Sequence, residues 1–210
     1  MCVSTLLKHS VDRQGTRRFL VPKKRPAGRG AGKLLALARE MVERTMKKII
    51  VKKRHSIRKS QAQDLLGRLE LQIGPSAALF RADMIEILET SSDIAIYLVN
   101  KKPLLMDAGD WVFPTLKGAV QCPFPERMVT VDAGAIPFVV NGADVMRPGI
   151  VAVSDDVAAG GPVQIVDERH KKPLAIGVAL LDGAAIRASA QGKMCKNFHH
   201  VGDELWNLEL

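Results

Sequence analysis

After Pro123 the sequence is cut into apolar runs of three to eight residues, each closed by glycine, proline or a polar turn: Met128–Val131, Phe138–Val140, Ile150–Val153, Val163–Val166 and Leu174–Leu181. Runs this short must find their hydrogen-bond partners on a neighbour rather than within themselves. Evenly spaced short strands separated by Gly and Pro close into a small barrel or sandwich. The polar segment Asp167–Pro173 between two β-prone runs predicts that Val163–Val166 and Leu174–Leu181 pair as a hairpin. Gly183–Ala190 supplies one or two helical turns before a last extended segment from Lys193. His199 and His200 are neighbours in that segment, so they face opposite sides of a strand, one packed and the other exposed.

Upstream the texture differs. Ser60 with Gln63 three residues on reads as a capping box, and Leu65, Leu66 and Leu69 give an apolar face to a helix running to about Leu69, before Gly74-Pro75 breaks the chain. Met84–Leu88 and Ile94–Val99 read as strands, the second joined through Asn100–Pro103 to Leu104–Met106 in a hairpin. Pro114–Gly118 suggests a helical turn. Cys122-Pro-Phe-Pro125 is rigid, extended punctuation, because proline restricts both itself and its predecessor, and the domain boundary is placed there. The expected class is α+β, with a small mixed α+β domain over residues 46–122 and a β domain over residues 123–210.

Composition narrows the function classes. The 210 residues are 47% hydrophobic and carry 31 Lys plus Arg against 22 Asp plus Glu, a formal charge of +9, which suits a globular chain rather than a disordered one. Residues 1–59 hold 18 basic and 3 acidic residues, so this segment is at +15 and the remainder at −6. Residues 1–45 mix Arg, Lys, Pro and Gly without periodicity and are expected to be a disordered basic extension. Gly28–Lys33 lacks the spacing and the Ser or Thr of a phosphate loop. Leu34–Val42 has the pattern of a short helix, and a fresh pattern opens at Met46, which is expected to be the natural start; an organellar transit peptide ranks below that reading. A chain beginning there would have a net charge of only +1, from 20 basic and 19 acidic residues. Cys2, Cys122 and Cys195 are far apart and odd in number, which argues against a disulfide framework or a structural zinc site and for a reducing, cytoplasmic compartment. No apolar run reaches the ~18 residues of a membrane helix.

The motifs after Pro125 carry a resemblance. Val131-Asp-Ala-Gly-Ala-Ile-Pro137, Asn141-Gly-Ala-Asp-Val-Met-Arg-Pro-Gly149, Leu174-Ala-Ile-Gly177, Gly192-Lys193 and Gly202-Asp203 follow in an order and spacing that resembles the PUA domain, an RNA-binding β pseudo-barrel. The segment from Met46, above all Lys53-Arg-His-Ser-Ile-Arg-Lys-Ser60, is similar to the small domain preceding PUA in an archaeal subfamily. That subfamily is akin to the malignant T-cell-amplified protein and the N-terminal part of ligatin. The resemblance implies a non-catalytic RNA-binding protein of the translation apparatus, contacting small-subunit rRNA or tRNA, with a translation factor as a further partner and no cofactor. The alternative is an accessory subunit of a tRNA- or rRNA-modifying enzyme of the pseudouridine synthase or transglycosylase type. A protein-interaction adaptor is a third, weaker class.

The resemblance implies candidate RNA contacts, each of which taken singly also reads as a tight turn or ordinary solvated surface. Gly134, Gly142 and Gly149 fall where strands turn, positions expected to need positive φ or close backbone approach, and with Ala135, Asn141 and Gly192 they would let an RNA backbone lie against main-chain amides. Arg147 and Lys193 flank those glycines and would neutralise phosphates. In the first domain Lys52, Lys53, Arg54, Arg58 and Lys59, with His55 among them, form the densest basic cluster outside the extension. They suit either a solvated edge strand, which charge protects from aggregation, or an RNA backbone contact. Catalytic patterns are weak. Gly67-Arg-Leu-Glu70 resembles a pseudouridine synthase tetrapeptide but carries Glu for Asp, and Asp107 with Asp110 has no supporting His, Lys or ligand spacing and reads as a polar turn.

Overall fold

The computed structural model describes residues 49–208. The readings made for residues 1–48, including the basic extension, the start at Met46 and the Leu34–Val42 helix, lie outside the described residues. Among those described, the strands form two sheets. The first runs in the order β1 (Val51–Ser56), β2 (Ile85–Thr90), β3 (Ala95–Val99), β4 (Lys102–Asp107) and β5 (Val112–Pro114), antiparallel throughout.

Helix α1 (Lys59–Ile73) lies in the connection from β1 to β2. It starts earlier than the Ser60 capping box predicts: the Arg58 N–H donates to the Gln61 side-chain oxygen at 2.9 Å, leaving Ser60 inside the helix. The chain has just left β1, where the Ile57 N–H is bonded to the Ile85 carbonyl at 3.0 Å, so the turn must begin at once. The helix also runs past Leu69 to Ile73, because Leu65, Leu69 and Ile73 continue one buried i, i+4 stripe. Gly74, at φ +52°, ends it, and a 3-10 segment (Gly74–Phe80) follows where only a break was expected. The β3–β4 hairpin is tighter than read from sequence. Asn100 and Lys101 both take positive φ (51° and 66°), and Lys102 and Pro103 already belong to β4. Helix α2 (Leu116–Gln121) is capped by Thr115, whose hydroxyl oxygen accepts from the Gly118 N–H at 3.0 Å.

The second sheet, in the order β7 (Val145–Met146), β11 (Lys193–His200), β10 (Pro173–Ala179), β9 (Pro162–Asp167), β6 (Met128–Val131) and β8 (Ile150–Val153), curls into a nearly closed pseudo-barrel. β6 and β9 run parallel and the other pairs antiparallel, and the β9–β10 hairpin forms as expected. Phe138–Val140, expected as a strand, is instead part of helix α3 (Ile136–Val140). Pro137 sits in its first turn, where its fixed φ and missing N–H are harmless, and a three-residue apolar run does not by itself distinguish the two states. Helix α4 (Gly183–Ala188) covers the expected helical turns, with the Asp182 carboxylate accepting from the Ala185 N–H at 2.8 Å.

The apolar core does not divide at Pro123. One cluster joins Leu65, Leu69, Phe80 and Phe113 of the first sheet and its helix to Ile176, Val178, Phe198 and Leu205 of the second half, while another fills the barrel around Val129, Val163 and Ile186. Aromatic edges mark the seam. Trp111 meets Phe198 with centroids 5.4 Å apart, and Phe113 meets Phe124 at 5.7 Å. Polar contacts run beside them: Arg127 Nε donates to the Gln72 carbonyl at 3.1 Å, and Gln164 Nε2 donates to the carbonyls of Phe124 and Glu126 at 2.8 and 2.7 Å.

Candidate nucleic-acid interface

The glycine-bearing motifs converge at one end of the pseudo-barrel. β6 leads into a turn in which the Asp132 carboxylate accepts from the Ala135 N–H at 2.8 Å, and the Asp132 N–H is bonded to the Gly149 carbonyl at 3.0 Å. A side chain at Gly149 would put its Cβ 2.9 Å from that of Ala135, so the two loops close on each other only because one of them has none. Helix α3 then exposes Phe138, 66% accessible, while Val139 is buried. Asn141 Nδ2 donates back to the Pro137 carbonyl at 2.7 Å. Gly142 follows at φ +85°, with space for a Cβ occupied by the His200 imidazole at 2.8 Å. Both reasons for a glycine therefore hold there. Gly134 differs: its φ is not positive, and an added Cβ would meet only the Asp132 carboxylate at an ordinary 3.4 Å, so the expected backbone requirement is not found at that position.

Lys193 and Gly192 are brought to the same place by β7–β11 pairing, in which Met146 faces Lys193 and the Arg147 N–H donates to the Gly192 carbonyl at 2.8 Å. The cations differ in what holds them. Lys193 is exposed and ion-paired with Asp144, whose second oxygen accepts from the Asn197 N–H at 2.9 Å. Arg147 is half-buried: Nε donates to the Ser189 carbonyl at 2.9 Å and Nη1 to the Ile150 carbonyl at 3.0 Å. Its guanidinium therefore ties the loop before β8 to the end of α4, a task that residue type and position gave no means of anticipating.

Both histidines lie beside this end, and here the expectation of separate faces is only half met. His199 is buried and His200 half-buried, yet the Nδ1 atoms of both point to the same Asp203 oxygen, at 2.7 and 3.8 Å. Burial alone would raise the Asp203 carboxyl, but the His199 ring and the N–H groups of Trp206 and His200 outweigh it and hold it below the usual carboxylate range. Burial pushes the Cys195 thiol up to about 12, which leaves it inert.

The second predicted cluster runs from β1, the edge strand of the first sheet, every residue of which is exposed, to Arg58 and Lys59 at the start of α1. Lys52, Lys53, Arg58 and Lys59 project to solvent, whereas Arg54 forms a two-pronged ion pair with Glu86 at 3.0 and 2.9 Å that cancels its charge locally. Fold topology thus places the two predicted sets on different sheets. A recess of about 270 Å³ beside the end of β11 is lined by Ile49, Ile94, Phe198, His200 and Gly202. The exposed Phe138 was missed as a site candidate because its run was read as a strand. The catalytic candidates are tied to each other: Arg68 of the Gly67–Glu70 tetrapeptide forms a bidentate pair with Asp107 and donates to the Gly109 carbonyl at 2.8 Å, while Asp107 also accepts from the Gly109 N–H at 2.8 Å. This is the polar turn closing β4 onto β5, as the sequence suggested.

Comparison with known proteins agrees with this geometry. Residues 127–201 match the PUA domain, and residues 53–120 match a domain of unknown function (DUF1947). Translation machinery-associated protein 20 of Saccharomyces cerevisiae is 31% identical over 136 residues, 62% of this chain and 75% of that protein. The chain belongs to the PUA-domain family that includes it. An uncharacterized protein of Methanocaldococcus jannaschii is 37% identical over 160 residues, spanning 76% of this chain and 98% of the relative. The crystal structure of a hypothetical protein from Pyrococcus horikoshii superposes with a TM-score of 0.68 at 32% identity, covering 73% of this chain and 98% of that one. The converging glycine motifs are thus the PUA motifs, and the pseudo-barrel is a PUA fold. No helix among the described residues is long and apolar enough to cross a membrane.

Proposed function

We propose that this PUA-domain protein acts without catalysis in the cytoplasmic translation apparatus, holding small-subunit rRNA or tRNA by backbone and phosphate contacts, alongside a translation-factor partner. The observation that carries the reading is one apolar core continuous beneath the two candidate surfaces. The glycine-bearing end of the barrel offers Lys193, paired with Asp144, and the exposed Phe138, and the stretch from β1 to the start of α1 offers Lys52, Lys53, Arg58 and Lys59, none of which has an ion pair among the described residues. Phosphates are neutralised by the lysines and arginines, and a base unstacked from its neighbour finds an apolar platform in Phe138. Translation machinery-associated relatives support the setting.

The test has two arms. Cosedimentation on sucrose gradients at low salt is expected to place the protein with small subunits, and its absence there would count against a ribosomal role. Filter binding to isolated small-subunit rRNA between about 50 and 200 mM salt should give a slope that falls by about one unit for each of Lys52→Ala, Lys53→Ala, Arg58→Ala and Lys59→Ala that removes a phosphate contact. Unchanged slopes in all four would leave β1 and the start of α1 as solvated surface.

A further inference from the structure

A third surface lies away from both. The β3–β4 turn, helix α2 and the segment after β11 enclose an open pocket of about 540 Å³ lined by Lys101, Lys102, Lys117, Val120, Trp206 and Leu208, above the buried Pro103 and Leu104. Lys117, Val120 and Gln121 share one face of α2 by their i, i+3, i+4 spacing. Lys117 Nζ stands 5.5 Å from the centre of the Trp206 ring. The main chain at Trp206 is held in place, since its backbone N–H donates to Asp203 at 2.7 Å, the carboxylate that also anchors His199 and His200. Among the described residues no acidic side chain lines the pocket and none of the three lysines has an ion pair. Val120 is 40% exposed at its centre.

We propose that this pocket docks a partner protein through an acidic peptide segment that inserts an apolar side chain. Charge and chemistry choose the occupant. An apolar floor rimmed by three unpaired ammonium groups complements a Leu or Phe flanked by Asp and Glu, with the hydrophobic anchor giving affinity and the charges giving orientation and on-rate. Nucleic acid fits less well. A base would desolvate its polar edge against Pro103, Leu104, Val120 and Leu208, which offer it no hydrogen bonds, and one approach to the Trp206 ring is taken by Lys117.

The two tryptophans of the chain make the test direct. Trp111 is buried at the seam and Trp206 is half-buried at the pocket, so in the ¹⁵N-labelled full chain the two indole N–H resonances report on fold and site separately. Three probes are titrated: an acidic peptide of Leu and Phe among Asp and Glu, the same peptide with Lys for every acid, and a short oligouridylate. The acidic peptide is expected to shift Trp206 saturably while Trp111 stays in place, and the other two are expected to leave Trp206 unmoved. Val120→Asp, an exposed change that should leave the fold intact, is expected to weaken the acidic peptide by about tenfold or more and to keep the rRNA affinity of the parent. The proposal is overturned by a stationary Trp206 with the acidic peptide, by an equal response to oligouridylate, by a shift on concentrating the chain alone, which would make a second copy the occupant, or by unchanged affinity in Val120→Asp. Parallel rRNA binding reads the RNA function separately, so failure here leaves that function standing.

Discussion

Arg147 separates two meanings of a cation beside a glycine motif: a phosphate contact or a brace. Its guanidinium bonds two carbonyls, those of Ser189 and Ile150 at 2.9 and 3.0 Å, from a half-buried position. A hydrogen bond from a charged donor contributes about 1.5 to 3 kcal/mol when buried. Partial exposure lowers that, so Arg147→Ala is expected to cost about 2 kcal/mol for the pair, or roughly 4 to 8 °C in Tm for a body of this size. Arg147→Lys keeps the charge but not the fork, since one ammonium on a flexible stem does not reproduce two fixed donors, and should recover less than half of the loss. The assay pairs thermal unfolding with the salt dependence of rRNA binding. A brace predicts a lower Tm in both variants and a slope within about half a unit of the parent. An unchanged Tm with a slope lower by about one unit in Arg147→Ala would refute the reasoning and return the residue to phosphate binding.

Three further outcomes follow from the geometry. Gly142→Ala places a Cβ at φ +85° against the His200 imidazole and should lower stability by about 1 to 2 kcal/mol by chemical denaturation, whereas a midpoint equal to the parent would mean that the turn relaxes freely. The folded-state Asp203 carboxyl titrates below its unfolded value, so its contribution is present above about pH 4 and is lost as pH falls through the lowered value. Denaturant midpoints of the parent and Asp203→Asn should therefore differ most at neutral pH and converge on acidification; a constant difference would contradict the assignment. Residues 123–210 expressed alone would uncover Ile176, Val178, Phe198 and Leu205, and are expected to bind a hydrophobic dye and to melt well below the full chain. A cooperative, dye-free transition at the parent Tm would show that the halves are separable.

Where a short apolar run is bounded by turn residues, sequence and structure agree to the residue, as at Met128–Val131 and Ile150–Val153. Agreement ends where a neighbour decides. The three-residue run at Phe138 became helix because Pro137 and the Asp132 turn set its entry, and β5 and β7 were too short to carry a periodic signal. The candidate site shows the same division. Gly142 was legible because a turn leaves a backbone signature, while the tasks of Arg147 and Arg54 depend on carbonyls and a carboxylate at least 32 residues away except for Ile150. The joint core was hidden for a similar reason, since nothing in the spacing of Trp111 and Phe198 announces that they touch.

That aromatic contact has a consequence for recognition. With Trp111 on Phe198 and Phe113 on Phe124, the basic edge strand and the glycine-bearing end of the barrel cannot slide or swing independently, so the span between them is a constant of the molecule. Under the proposed function the protein would then be a caliper: two moderate contacts on a fixed frame would reward only an RNA whose backbone passes both jaws at the set opening, selecting architecture without reading a single base.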